Sequence, residues 1–244
     1  MATKKEEFFL YSIIKDYPYE HWFCEKHYNG KVLNEAEKKD YVELADRTIS
    51  QYFEGLPLLK EELEEIEDRH DDYGEINRVV DSLLLFTIIT SIDCMIISKY
   101  FILADKDYDK RFMRGKMKVI LNEGFKKLYG FDEKTRNKSE WNRLPPILNH
   151  FPSNIRQQYD QLSNLLKHHS ESSSWWKDER NVETHLDAKK LYDSRNEELV
   201  ESEVMMDSMK LFDTLFAVFL FLKNMHGCIY NDLVGKYYRG ELTK

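Results

Sequence analysis

Apolar residues recur along most of this chain at spacings of three and four, the signature of helices with one buried face. In residues 40–53 they fall at Tyr41, Leu44, Ala45, Ile49 and Phe53. Gly55 and Pro57 are expected to end that helix, and Pro57 then suits the first turn of a second, strongly acidic helix reaching about His70. Gly74 separates this from a helix over about residues 75–104, whose second half is apolar on most faces and is therefore predicted to be buried on most sides. Residues 105–109 form a break. A basic amphipathic helix follows over 111–129, with Phe112, Met113, Met117, Ile120, Leu121, Phe125 and Leu128 on one side and Gly130 closing it.

Beyond Gly130 the pattern weakens. Residues 131–152, with Pro145, Pro146 and Pro152, read as a long irregular connection with room for one helical turn. Ser153 suits the N-cap of a helix over 154–169, and residues 170–174 read as a polar hinge. A short helix is predicted around 175–190, because Trp175, Val182 and Leu186 share one helical face. Ser194-x-x-Glu197 has the form of a capping box opening a long apolar helix to about Met225, ended by Gly227. Residues 1–38 are mixed and aromatic-rich, with a short helix over 6–15 and a turn at Asn29-Gly30. No strand alternation persists beyond a few residues. The expected fold class is all-α, an antiparallel helical bundle. Residues 1–73 are expected as an N-terminal helical extension, 74–226 as the bundle and 227–244 as a C-terminal tail.

Composition supports this pattern. With 9 Gly and 5 Pro in 244 residues, the chain is poor in the residues that a turn-rich sheet fold needs. The net charge of −8 argues against a general nucleic-acid coat, whose affinity rests on neutralising phosphate, but leaves room for RNA at one local patch. Cys24, Cys94 and Cys228 are odd in number and far apart, which suits a reducing compartment rather than a disulfide framework. Residues 8–14 lack the long apolar core and small-residue cleavage site of a signal peptide. Residues 83–103 are long enough to span a bilayer. However, Asp93 lies at their centre and Lys99 near their end, and a central charge costs roughly 2.5–3.5 kcal/mol on insertion. The expectation is a buried helix of a cytoplasmic protein, without membrane and without cofactor or metal. Asp93 is then a buried carboxylate that needs a cationic partner.

The most suggestive chemistry lies at Arg180-Asn181-Val182-Glu183-Thr184-His185. On a helix Asn181 and His185 are four apart and share a face, at the margin of the face carrying Val182 and Leu186. Arg180 lies about 140° around from His185, within reach of a long side chain. Attack of a ribose 2′-OH on phosphate needs a proton acceptor and donor near neutral pH, the ordinary task of an imidazole. The developing negative charge needs a fixed cation, and guanidinium is a planar, always-charged fork for phosphate oxygens.

This cluster resembles the Arg-x(4–6)-His motif of the HEPN superfamily, in which a polar residue directly follows the arginine and the motif precedes the last long helix of a bundle. By layout the resemblance spans roughly residues 75–226, and by motif six residues. It implies a metal-independent endoribonuclease, often of a toxin–antitoxin or phage-defence system, acting as a homodimer with paired sites. Arg180 would stabilise the scissile phosphate, Asn181 would position, and His185 would act as general acid and base. RNA, a second copy and an antitoxin or other protein are the implied partners. Glu179 and Glu183 flank the motif and repel phosphate. That keeps open a different class, a non-catalytic helical dimerisation or protein-interaction module in which the same residues are a solvated helix start.

Other constellations have simpler readings. His21, Cys24 and His27 lack the distant second ligand pair of a zinc site. Glu67-x-x-His70 lacks the second such motif that di-iron bundles need. His168-His169 falls at a helix end, where a cation complements the helix dipole; the alternative is an added phosphate contact. Trp175-Trp176 reads as packing, or else as a stacking platform for bases.

Overall fold

A computed structural model describes residues 33–66, 72–172, 188–196 and 199–239. The described residues are mostly helical and contain no strand, so the all-α expectation holds. They fall into two compact units. Among the described residues, the first takes 33–51, 92–122, 188–196 and 199–217, and the second 52–66, 72–91, 123–172 and 218–239.

Helix α1 spans Glu35–Ile66. It starts earlier than its apolar period suggests, because Asn34 and Glu37 form a reciprocal capping box. The Glu37 amide donates to Asn34 Oδ1 and the Asn34 amide to Glu37 Oε2, both at 3.0 Å. The expected break at Gly55 and Pro57 does not occur, and Pro57 sits inside one continuous helix. Proline deprives the Phe53 carbonyl of its helical donor. Phe53, Pro57 and Leu58 are all exposed, so water can take that donor's place.

Helix α2 spans Asp72–Leu103. Its segment Tyr73–Leu103 is long and apolar enough to cross a membrane by length and composition, and 56% of its most apolar window is buried within the protein. In the second unit it buries Val80, Leu83 and Thr87; in the first it buries Cys94, Met95, Ser98 and Phe101. Buried hydroxyls on an apolar helix must find acceptors. Thr87 Oγ1 donates to the Leu83 carbonyl and Ser98 Oγ to that of Cys94, each at 2.7 Å. Asp93 corrects the sequence expectation: it is exposed, although partial burial still raises its carboxyl pKa. Ile89 and Tyr100 are exposed on the same helical face, so Asp93 marks the open side of α2. The buried carboxylate of this helix is Asp81.

Helix α3 spans Asp107–Leu128 and buries Met117, Leu121, Phe125 and Leu128 at spacings of four, four and three. Phe112, expected on that face, is exposed beneath the Lys116 ammonium, which lies 5.1 Å from its ring centre. Gly130 ends the helix at φ 88°, with its amide bonded to the Phe125 carbonyl. A Cβ there would also lie 2.5 Å from the Arg136 backbone nitrogen.

The stretch after Gly130 is not the open connection that its prolines suggest. A single-turn helix α4, Glu133–Arg136, is closed by an Asp132–Thr135 capping box. Two 3-10 turns follow, Trp141–Arg143 and Pro145–His150. Trp141, Leu144, Ile147, Leu148 and Phe151 are buried. Trp141 stacks on Tyr159 with centroids 5.1 Å apart and planes 8° apart, touches Phe221 at 5.6 Å, and donates its indole N–H to Ser163 Oγ at 2.9 Å. Glu140 accepts from Lys127 at 2.8 Å and Arg143 at 2.6 Å. Partial burial alone would raise the Glu140 carboxyl, but these two cations outweigh it and hold it below the usual range.

Helix α5, Ser153–Ser172, includes Ser153 rather than being capped by it, and buries Ile155, Leu162 and Leu166. It takes in residues 170–172 of the expected hinge, the rest of which lies outside the described residues, and buried Ser170 donates to the Gly130 carbonyl at 3.0 Å. Helix α6, Ala188–Asn196, contains Ser194, so the expected capping box does not open the last helix. Arg195 instead donates to the Arg111 carbonyl at 2.9 Å, joining α6 to α3 within the first unit. Helix α7 spans Glu201–Tyr238 and passes through Gly227 without a break. Interior glycine costs only about 1 kcal/mol relative to alanine, and buried Met225 and Ile229 hold the helix on either side.

Candidate functional site

Arg180, Asn181 and His185, with Trp175 and Trp176 beside them, lie outside the described residues, as do His21, Cys24, His27, Glu67 and His70. His168 and His169 lie in the last turns of α5, His168 exposed and His169 half-buried, where a helix end favours a cation. Among the described residues no group of three or more His, Cys, Asp or Glu is placed to hold a metal ion.

A cleft of about 540 Å³ opens in the second unit. Three chain segments build it. The first turn of α2 supplies Tyr73 and Ile76, the corner before α5 supplies His150, Phe151 and Pro152, and the last third of α7 supplies the remainder. Ile76, Phe151 and Ile229 are buried and make an apolar floor. Cys228, Asp232 and Lys236 recur every four residues on α7, so they share one face and line one wall.

The rim carries a closed hydrogen-bond triangle. The Tyr73 hydroxyl donates to Asp232 Oδ2 and accepts from the Lys236 ammonium. Lys236 also pairs with Asp232 at 3.1 Å and lies 4.4 Å from the Tyr73 ring centre. The Tyr73 hydroxyl, then Lys236, hold the Asp232 carboxyl below its ordinary range. The Tyr73 hydroxyl, then Asp232, push the Lys236 ammonium above its own. Both groups therefore carry full charge across ordinary pH. Cys228 is half-buried and burial raises its thiol pKa, which disfavours the nucleophilic thiolate.

Two further polar clusters lie on α2. In the second unit, buried Asp81 faces half-exposed His226 of α7, with 3.5 Å between Oδ1 and Nε2. In the first unit, Cys94, Ser98 and Ser208 join in the core. Cys94 Sγ reaches the Ser208 carbonyl at 3.5 Å, and the two serine hydroxyls bond to each other. Burial raises the Cys94 pKa to about 11, so this thiol stays protonated and unreactive. A smaller hollow of about 70 Å³ in the first unit sets Arg114 and Lys118 of α3 near Glu203 and Asp207 of α7, which balances its charge locally.

The cleft was beyond reach of the sequence pattern because its walls come from positions near 73, 150 and 230. Its one local signal was the Asp232–Lys236 pair at i, i+4, the acid preceding the base. Asp81 carried a signal too, a carboxylate set between Val80 and Leu83 in an apolar run. No protein-family model matches this chain, no curated protein matches it, and no solved structure matches it.

Proposed function

We propose that the chain is an HEPN-like protein that acts on RNA in the cytoplasm, as a metal-independent endoribonuclease or an RNA-interacting member of a defence or toxin-type system. One combination carries the reading: an all-helical chain in which Arg180-Asn181-x3-His185 precedes a final helix of 38 residues. In this reading two copies bring their Arg180/His185 pairs to a shared groove. Arg180 neutralises charge on the phosphate, Asn181 orients the imidazole or the ribose, and His185 moves the proton. An antitoxin or other protein partner would act by covering that groove.

The flanking carboxylates Glu179 and Glu183, with a net charge of −8, favour a second reading. In it the chain is a non-catalytic dimerisation or protein-interaction module.

The test is cleavage of structured and single-stranded RNAs by the purified protein in EDTA, beside His185→Ala with its fold checked by circular dichroism. The expected result is cleavage by the wild type and a loss of about 10²–10⁴-fold in the folded variant. No cleavage by the wild type would move the weight to the interaction module. Cleavage that survives His185→Ala would remove the motif from the chemistry.

A further inference from the structure

We propose that the cleft between the start of α2 and the end of α7 is a binding site for a small organic anion with a flat apolar body. This inference is independent of the RNA reading, since none of the residues it is argued from belongs to the Arg180–His185 motif.

Size is the first argument. A volume of about 540 Å³ falls within the range of sites that enclose a small molecule. The second is the division of the lining. Ile76, Phe151 and Ile229 offer a dry floor, and the rings of Tyr73 and Pro152 stand beside it, surfaces that suit a flat apolar body.

The sign of the ligand's charge follows from counting donors and acceptors on the rim. Asp232 is the one carboxylate among the described lining residues, and it already accepts from both Tyr73 and Lys236. The charge of Arg239, just past the end of α7, also acts on it. Lys236 has three N–H donors, of which two go to Tyr73 and Asp232 and one is left for a ligand. His150 on the opposite wall and the Asn231 amide add further donors. The wall therefore offers donors in excess of acceptors, and a ligand completes it by bringing acceptors. A carboxylate, sulfonate or phosphate on an aromatic frame meets both demands.

The experiment uses the full chain and two matched probes, the anionic 1-anilinonaphthalene-8-sulfonate and the neutral N-phenyl-1-naphthylamine. Fluorescence titration reads affinity and stoichiometry. Alkylation of Cys228 by iodoacetamide, located by peptide mass, reads occupancy of the cleft. The sulfonate is expected to bind one to one and to slow alkylation of Cys228 at least about fivefold. Asp232→Asn should tighten it about threefold and Lys236→Met should weaken it about tenfold, because the two changes alter the field at the site in opposite senses. The neutral probe should respond to neither.

A purely structural role for the triangle would move both variants the same way. Equal responses of the two probes, one direction for both variants, a stoichiometry other than one, or unchanged Cys228 alkylation at saturation would each overturn the proposal. Should Lys236→Met unfold on thermal melting, His150→Gln replaces it, with weakening of the sulfonate expected and unchanged affinity overturning the assignment.

Discussion

The two units bury polarity in different ways, although α1, α2, α3 and α7 each contribute to both. In the first unit Cys94, Ser98 and Ser208 form a neutral buried cluster whose members satisfy one another and the backbone, and a buried ammonium, Lys118, lines the smaller hollow with Glu203 and Asp207. In the second, Trp141 stacks on Tyr159 and touches Phe221, buried Asp81 faces His226, and half-buried Glu140 holds two cations. A neutral cluster costs little to desolvate and responds little to solvent. A buried carboxylate is costly and ties its surroundings to a partner. The second unit is therefore the half in which single substitutions should do most damage and in which pH should be felt.

The largest expected effect is at Trp141. Trp141→Ala should destabilise by about 3–5 kcal/mol, since it removes the ring that fills the aromatic cluster and its hydrogen bond to Ser163. Trp141→Phe should cost markedly less, and chemical denaturation of both measures the gap. Next comes His226→Ala, with an expected loss of about 2–3 kcal/mol because a partner of a buried carboxylate is removed. Ser208→Ala in the first unit should cost about 1 kcal/mol, the ordinary worth of a neutral hydrogen bond. Equal losses for His226→Ala and Ser208→Ala, measured under one set of conditions, would break the contrast between the units.

The smallest effect sharpens it. The folded-state pKa of Glu140 lies below its unfolded value, so its contribution is present above the ordinary glutamate range and fades as pH falls through the folded value. The difference in stability between wild type and Glu140→Gln should be about 1 kcal/mol or less at pH 7, given the solvent screening of partly exposed cations. It should shrink towards zero in acid. A difference that stays constant from neutral pH into acid would show that the carboxylate's charge is not what matters.

Much of the helical frame was legible because long apolar periods survive any tertiary context. The span of α2 and the buried positions Met117, Leu121, Phe125 and Leu128 of α3 followed from spacing alone. Three features resisted. The capping box at Asn34 and Glu37 was overlooked because apolar periodicity starts later than the helix does. Pro57 was given a helix-ending role that an exposed turn does not enforce. Residues 131–152 have no period because short 3-10 turns bury Trp141, Ile147 and Leu148 one by one.

Asp93 and Asp81 show the same limit in the site. Both sit in one apolar run, and only the tertiary structure decides which face turns to water. Arg180, Asn181 and His185 were legible as a motif, by residue type and spacing. The cleft was not, because its three walls are separated by about eighty residues each and share no local pattern.

Gly130 carries a consequence on a different timescale. Its φ of 88° suits glycine, the Arg136 backbone occupies the space a side chain would need, and its carbonyl receives Ser170. No replacement can relax one of these demands without meeting another. As the sequence drifts over generations, the surface of α3 is free to change while this position is held. In a survey of natural variants, or in a saturation library selected for folded protein, site 130 should stand out as a near-empty column, a fixed landmark by which diverged descendants of this chain can be recognised.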